Sequence, residues 1–174
     1  MFEIEIANSQ SSLEIEESRV REIAETVLQR EQVSEAVLSI ALVDNKEIHR
    51  LNREYLQHDY ETDVLSFLLE CETVTPHSNG STEQPLSDLA PTDPPLKGIG
   101  KKIEGEIIVS TEMAAQSSAD YHWSPHDELV LYLVHGILHL CGYDDLEDSE
   151  RKLMRIREQQ ILKEWDLSPH YDER

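Results

Sequence analysis

The sequence predicts an α/β fold in which a small β-sheet of about four strands packs with about five helices. Three observations predict it. Four short segments carry strand patterning, five longer ones repeat their apolar residues every three to four positions, and the two kinds alternate through the first 70 residues. At 174 residues, 39% of them apolar, the chain has the length of one domain with a sizeable core, and residues 1–174 read as a single unit.

Phe2, Ile4 and Ile6 alternate with polar neighbours, which is the period of a half-buried strand. From Ser18 the period lengthens, and Val20, Ile23, Ala24, Val27 and Leu28 form one stripe of an amphipathic helix. Val37 to Val43 is almost continuously apolar and reads as a buried strand. Asp44 and Glu47 then have the spacing of a capping box, opening a helix with Ile48, Leu51 and Tyr55 turned inward. Further strands are expected at Thr62 to Leu69 and at Glu106 to Ser110.

Between those two strands the patterning stops. Residues 71–100 hold five of the seven prolines among Ser, Thr and Gly, and read as an insertion or flexible loop. Thr111 to Ala119 is a short helix candidate. Ser124-Pro125-His126-Asp127 has the form of a helix start, with a serine cap, a proline where its missing N–H costs least and acid in the first turn. A strongly apolar helix should run from there to about Leu140 and stop at Gly142. Leu153, Ile156, Ile161, Leu162 and Trp165 mark a terminal amphipathic helix.

Thirty-six acidic residues against 15 Lys and Arg give a formal charge of −21. Divided into five consecutive segments, the chain has none that is net positive. This balance argues against a generic nucleic-acid or membrane binder. Cys71 and Cys141 are too few for a disulfide framework, which indicates a reducing compartment. The opening MFEIEIANSQ lacks the basic start and apolar run of a secretion signal, and no apolar run approaches the ~20 residues that cross a bilayer. A cytoplasmic protein with no membrane partner is expected.

One segment carries clear chemistry. His135 and His139 are four apart, so a helix stacks both imidazoles on one face, where they can reach a single ion. Gly142 allows a sharp turn, and Asp145 stands where a third ligand should return, with Asp144 as its competitor. The pattern H-x-x-x-H-x-x-G-x-x-D is close to the zinc motif of metzincin proteases, which ends in His. Those proteases place a general-base Glu directly after the first His, and here that place is Gly136. Three N and O ligands leave the fourth zinc position open for water, the arrangement of a catalytic site. Cys141 points away from the His139 direction and is read as buried packing.

The run from His135 through Gly136, Leu138, His139, Leu140, Gly142 and Tyr143 to Asp144 resembles the H-G-x-L-H-L-x-G-Y-D-H signature of the YbeY family, bacterial ribosomal-RNA maturation factors and zinc-dependent endoribonucleases. Leu51-Asn52, Asp59 and Thr62-Asp63-Val64-Leu65-Ser66-Phe67 are similar to the family's L-N, D and T-D-V-L-S-F stretch, and Gly105-Glu106-Ile107 falls where Gly-Asp-Ile is usual. The resemblance covers roughly residues 35–165, with 71–100 as an insertion. It implies a mixed sheet and one Zn2+ ion at the end of the His135 helix, held by His135, His139 and Asp145. It implies cleavage of single-stranded RNA, with a zinc-bound water as nucleophile, in maturation of the small-subunit ribosomal RNA 3′ end and late ribosome quality control. Its partners would be ribosomal RNA, the small subunit and a ribosomal protein, with no DNA expected.

Two positions depart from the family pattern. Its third zinc-binding histidine falls on Asp145, whose negative charge makes the ion a weaker Lewis acid. Its usual arginine between L-N and D falls on Leu56, so Arg53 and His58 become the candidates for positive charge, with Asp63 and Ser66 as further site candidates. No residue is assigned as general base. The charge of −21 restricts RNA contact to a few phosphates in a local groove at the ion. Two other classes are compatible with the sequence: a metal-dependent hydrolase of another substrate such as peptide, against which Gly136 counts, and a non-catalytic ribosome-assembly factor with a structural metal.

Overall fold

Four strands and five helices form among the described residues of a computed structural model, which covers residues 1–74 and 95–171. In chain order they are β1 (Phe2–Asn8), α1 (Glu17–Arg30), β2 (Glu35–Val43), α2 (Asn45–Leu56), β3 (Val64–Thr73), β4 (Lys101–Ser110), α3 (Thr111–Asp120), α4 (Pro125–Cys141) and α5 (Asp148–Leu162), then a 3-10 turn at Lys163–Trp165. The sheet order is β1-β2-β4-β3. β1 with β2 and β2 with β4 are parallel, and β3 closes the edge antiparallel to β4, so the α/β sheet is mixed.

Strand alternation sorts the side chains to two faces. One face carries Leu38, Ile40, Leu42, Ile107 and Val109 against the buried stripe of α1 and against α4. The other carries Val43 and Leu65, which meet Ile48 of α2 in a second, smaller cluster. α4 is apolar nearly all round because β3, β4, α1, α3 and α5 all pack against it. A helix in that position can hold polar residues only where they have partners, and His135 and His139 lie on it.

Gly136 explains how closely α4 approaches the sheet. A Cβ there would lie 3.0 Å from Val64 Cγ2, 3.1 Å from Ser66 Oγ and 3.2 Å from Ile107 Cγ2. The position where metzincins carry glutamate therefore faces the sheet, and a side chain there would have to displace Val64, Ser66 and Ile107. Gly136→Ala is expected to destabilise the chain by about 1–3 kcal/mol in urea unfolding, the usual cost of overpacking a tight site.

Several local expectations are corrected. Val37 to Val43 is buried on one face only, and Val37 is 48% exposed, because α2 covers just the Val43 end of the opposite face. β3 extends to Thr73 and pairs with Lys101–Ile103, so the segment read as an insertion from residue 71 starts inside a strand. Residues 75–94 of that segment lie outside the described residues. Asp44 does cap α2, accepting the Glu47 N–H at 2.8 Å, but Glu47 binds Arg50 instead of returning to the cap. Tyr55 is exposed, its ring edge-on to Phe67, and Asn45 and Asn52 take buried positions on α2.

The terminal helix buries Ile161 and Leu162 as predicted, but its first half is out of phase with the prediction. The buried stripe of α5 is Met154, Arg157, Glu158, Ile161 and Leu162, while Ile156 points to solvent. Two charged residues in that stripe need partners, and both have them. Arg157 Nε donates to Glu31, which is fully buried at the end of α1, and Glu158 reaches the α4 histidines. No helix among the described residues is long and apolar enough to cross a membrane.

Candidate metal centre

The α4 helix is fixed at both ends by local chemistry. At the start, Ser124 Oγ accepts the Asp127 N–H at 3.1 Å and the Asp127 carboxylate accepts the Ser124 N–H at 3.1 Å, a complete capping box. At the end, Gly142 takes φ 110, a left-handed value that favours glycine. Its N–H donates to the His139 carbonyl at 3.0 Å, and the Tyr143 N–H donates to Leu138 O at 3.1 Å. The chain thereby turns back over the last helical turn.

That reversal brings Asp145 to the two imidazoles. His135 Nε2 and His139 Nε2 are 3.0 Å apart, and Asp145 Oδ2 lies 3.5 Å from His135 Nε2 while Asp145 Oδ1 lies 3.7 Å from His139 Nε2. Tetrahedral zinc with bonds of about 2.0–2.1 Å needs its donors about 3.3–3.4 Å apart. The three separations bracket that value. The outer nitrogens are also committed: His139 Nδ1 donates to the Tyr143 carbonyl at 3.0 Å, and His135 Nδ1 bonds the Glu158 carboxylate. Holding Nδ1 this way turns each Nε2 lone pair toward the shared centre. The donor set present therefore fits a zinc ion.

Asp144 does not compete for that position. Its carboxylate accepts the Asp145 N–H at 2.7 Å and the Leu146 N–H at 3.2 Å, shaping the loop that presents Asp145. Cys141 is fully buried and stands apart from the donor group.

The electrostatics of the metal-free group follow from the same contacts. Burial opposes a charge on His135, but hydrogen bonds to Asp145 and Glu158, with the nearby charges of Glu158 and Asp63, outweigh it and raise its pKa to about 10. Burial and the neighbouring His135 charge both lower the pKa of His139. The hydrogen bond from His135 lowers that of Asp145. The two imidazoles are therefore shifted in opposite directions, His135 toward the protonated form and His139 toward the neutral one.

Glu158 is the residue that sequence patterning missed. It is 3% exposed, its second oxygen accepts the Tyr171 hydroxyl, and it fixes the orientation of His135. Glu158→Gln is expected to weaken zinc binding about 10–100-fold, measured by competition with a chromophoric chelator, since carboxylates behind ligating histidines carry that much affinity. The available signal was its spacing, four residues after Met154 and three before Ile161, on the buried stripe.

A cleft of about 220 Å3 opens on this centre, with His135, Asp145, Glu158, Asp63, Arg151, Arg155 and Tyr171 in its wall. A second hollow, walled by Ser66, Val64 and Leu68, reaches His135 and His139 from the β3 side. Asp63 and Ser66 thus stand beside the donor group, and Ser66 Oγ donates to the Gly136 carbonyl at 3.1 Å. Arg53 and His58 are not brought to it. Arg53 lines a different cleft along α2 and sits 4.0 Å from Asp59, while His58 stacks on Tyr60. The positive side chains in the cleft wall are Arg151 and Arg155 of α5, neither of which the sequence pattern singles out.

Comparison with known proteins agrees with this architecture. The family model described as Endoribonuclease YbeY matches residues 5–166. A Salinibacter ruber protein named Endoribonuclease YbeY is 35% identical over 159 residues, 91% of this chain and 89% of its own. Relatives of the same name from Carboxydothermus hydrogenoformans and Desulfitobacterium hafniense are 35% and 37% identical, covering 91% and 83% of this chain and 94% and 82% of theirs. The solution structure of TM1509 from Thermotoga maritima superposes with a TM-score of 0.50 at 22% identity, covering 95% of this chain and 91% of that one, and shows the likeness of fold. With a family model spanning nearly the whole described chain, and relatives above 30% identity along most of their own lengths, the chain belongs to the YbeY endoribonuclease family.

Proposed function

We propose that this chain is a zinc-dependent endoribonuclease that cleaves single-stranded RNA, acting in the cytoplasm on the 3′ end of small-subunit ribosomal RNA and in late ribosome quality control. The observation that carries the reading is the convergence of His135 Nε2, His139 Nε2 and the Asp145 carboxylate at separations suited to one tetrahedral ion. His135, His139 and Asp145 would hold the ion, which when bound supplies a Lewis acid and a water of lowered pKa.

The surrounding residues give that chemistry its setting. Glu158 and the Tyr143 carbonyl hold the two imidazoles in orientation. Asp63 accepts the Val64 N–H at 2.8 Å and so keeps its carboxylate at the cleft wall facing the centre. Gly136, crowded by the sheet, excludes the glutamate base of a metzincin peptidase, which supports RNA over peptide as the substrate. A net charge of −21 fits a substrate presented by a small-subunit ribosomal protein with its own positive surface.

The test is cleavage of a labelled single-stranded oligoribonucleotide by zinc-loaded protein, beside the same sequence as duplex RNA and as DNA. Cleavage of the single-stranded RNA alone, lost on chelation and restored by zinc, supports the reading. Cleavage that persists after chelation contradicts it. A protein that cleaves nothing yet cosediments with small ribosomal subunits would be the non-catalytic assembly factor.

A further inference from the structure

We infer that Arg155 is the phosphate-binding residue of the metal cleft, a contact that deepens the endoribonuclease reading and rests on it. The cleft wall carries three carboxylates and two arginines, and their hydrogen bonds separate the occupied groups from the available one. Glu158 is committed to His135 and Tyr171. Asp145 faces the two imidazoles, and Asp63 accepts the Val64 N–H and the Thr62 hydroxyl.

Arg151 is committed as well. Its Nε donates to the Asp145 carbonyl at 3.1 Å, Nη2 to Leu146 O at 3.4 Å and Nη1 to Asp148 at 3.0 Å, so it clamps the loop that presents Asp145. Arg155 stands one helical turn further along α5 on the same cleft. Among the described residues its guanidinium makes no ion pair, and its Cζ lies 4.9 Å over the Tyr171 ring. An arginine stacked on an aromatic face keeps its N–H edges in the plane of the fork and so can present them to a phosphate. The ring that positions it belongs to the same tyrosine whose hydroxyl holds Glu158, so the cation and the His135 orientation share one support.

The charge pattern of the chain gives this placement its meaning. A protein of net charge −21 repels RNA at long range, so binding depends on the few cations set inside the site. Position 56, where the family usually has arginine, holds Leu56, and neither Arg53 nor His58 reaches the centre. Arg155 enters from the opposite end of the chain, on α5, and supplies the positive charge beside His135.

The experiment measures binding of the metal-free full chain to a fluorescent single-stranded oligouridylate by anisotropy, across a range of salt, for wild type, Arg155→Ala, Arg155→Lys, Tyr171→Phe and Arg19→Ala. Arg19 stands over Trp165, away from the cleft, and its loss changes the net charge equally. Arg155→Ala should weaken binding roughly tenfold and reduce the salt slope by about 0.7, one phosphate contact on a single strand. Arg155→Lys should keep the slope with weaker binding, and Tyr171→Phe, which retains the ring, should keep the slope. Zinc content of Arg155→Ala should equal that of wild type.

An unchanged affinity and slope in Arg155→Ala overturns the inference, as does equal weakening by Arg19→Ala or a wild type that binds no RNA. If Arg155→Ala fails to fold, Arg155→Gln decides in its place, because it removes the charge and keeps most of the side chain: a slope reduced by about 0.7 supports the inference and an unchanged slope overturns it. The two readings fail separately. RNA binding that needs Arg155 in a protein that never cleaves leaves this contact standing and removes the nuclease; zinc-dependent cleavage with an Arg155-independent slope does the reverse.

Discussion

His139→Ala is expected to lower kcat/KM for cleavage of single-stranded RNA by at least about a thousandfold, since a metal's stabilisation of transition-state charge is worth several kcal/mol and each 1.4 kcal/mol is tenfold. His139 Nε2 stands 3.0 Å from His135 Nε2 and 3.7 Å from Asp145, so its removal leaves two donors where three converge. It also leaves the Tyr143 carbonyl without the Nδ1 donor it accepts from. The loss should fall on kcat and kcat/KM together, because the ring is not part of the α5 cleft wall proposed to bind RNA. Steady-state cleavage with matched circular-dichroism spectra checks it, and a variant within tenfold of wild type would contradict it.

Glu31→Ala is expected to destabilise the fold by about 3–5 kcal/mol, the cost of leaving a buried charge without its partner. Glu31 is fully buried at the end of α1 and accepts from Arg157 Nε, from the Tyr143 hydroxyl at 3.2 Å and from the Gly98 N–H at 3.3 Å. Removing it leaves Arg157, which is 7% exposed, without its carboxylate counter-charge and with only the Gln160 side chain and the Arg30 carbonyl as acceptors. The network also reaches the metal centre, because Tyr143 is anchored on Glu31 by its hydroxyl and holds His139 by its carbonyl. Chemical denaturation measures the stability loss, and zinc affinity in the same variant should fall as well. A loss below about 1 kcal/mol would place Glu31 outside the buried network.

The legible parts of the chain were those where local chemistry decides. The Ser124-Pro125 start and Gly142 stop of α4, the apolar stripe of α1 and the alternation of β1 depend on nearby residues, and each reads directly. The convergence of His135, His139 and Asp145 on one candidate ion position was legible because a helical spacing of four and a glycine turn confine the geometry. Glu158, Arg155 and Arg157 were not, because charged residues on an amphipathic helix ordinarily face water. Here α5 lies across the histidine end of α4, and its buried stripe includes two charges paired across the chain. The apolar pattern points to Leu153 and Ile156, one position off the buried Met154 and Arg157, and so hides Arg157 and Glu158. Arg53 misled for the converse reason: proximity in sequence to the family's arginine position does not carry its side chain to the centre, since α2 packs on the opposite face of the sheet.

The departure at Asp145 also gains a physical setting. Its backbone is held by Asp144, which accepts the Asp145 and Leu146 N–H groups, and by Arg151, which donates to the Asp145 carbonyl. An anionic donor there offsets part of an ion's charge. Arg155 places a positive group back beside the same centre.

The most direct test of the account is the zinc content of gently purified protein, measured on wild type and Asp145→Ala in parallel by elemental analysis. The account predicts about one zinc per wild-type chain and less than about 0.1 per variant chain, because three protein ligands retain zinc tightly and two do not. A wild type below about 0.1, or a variant that keeps as much zinc as wild type, would contradict the assignment of His135, His139 and Asp145.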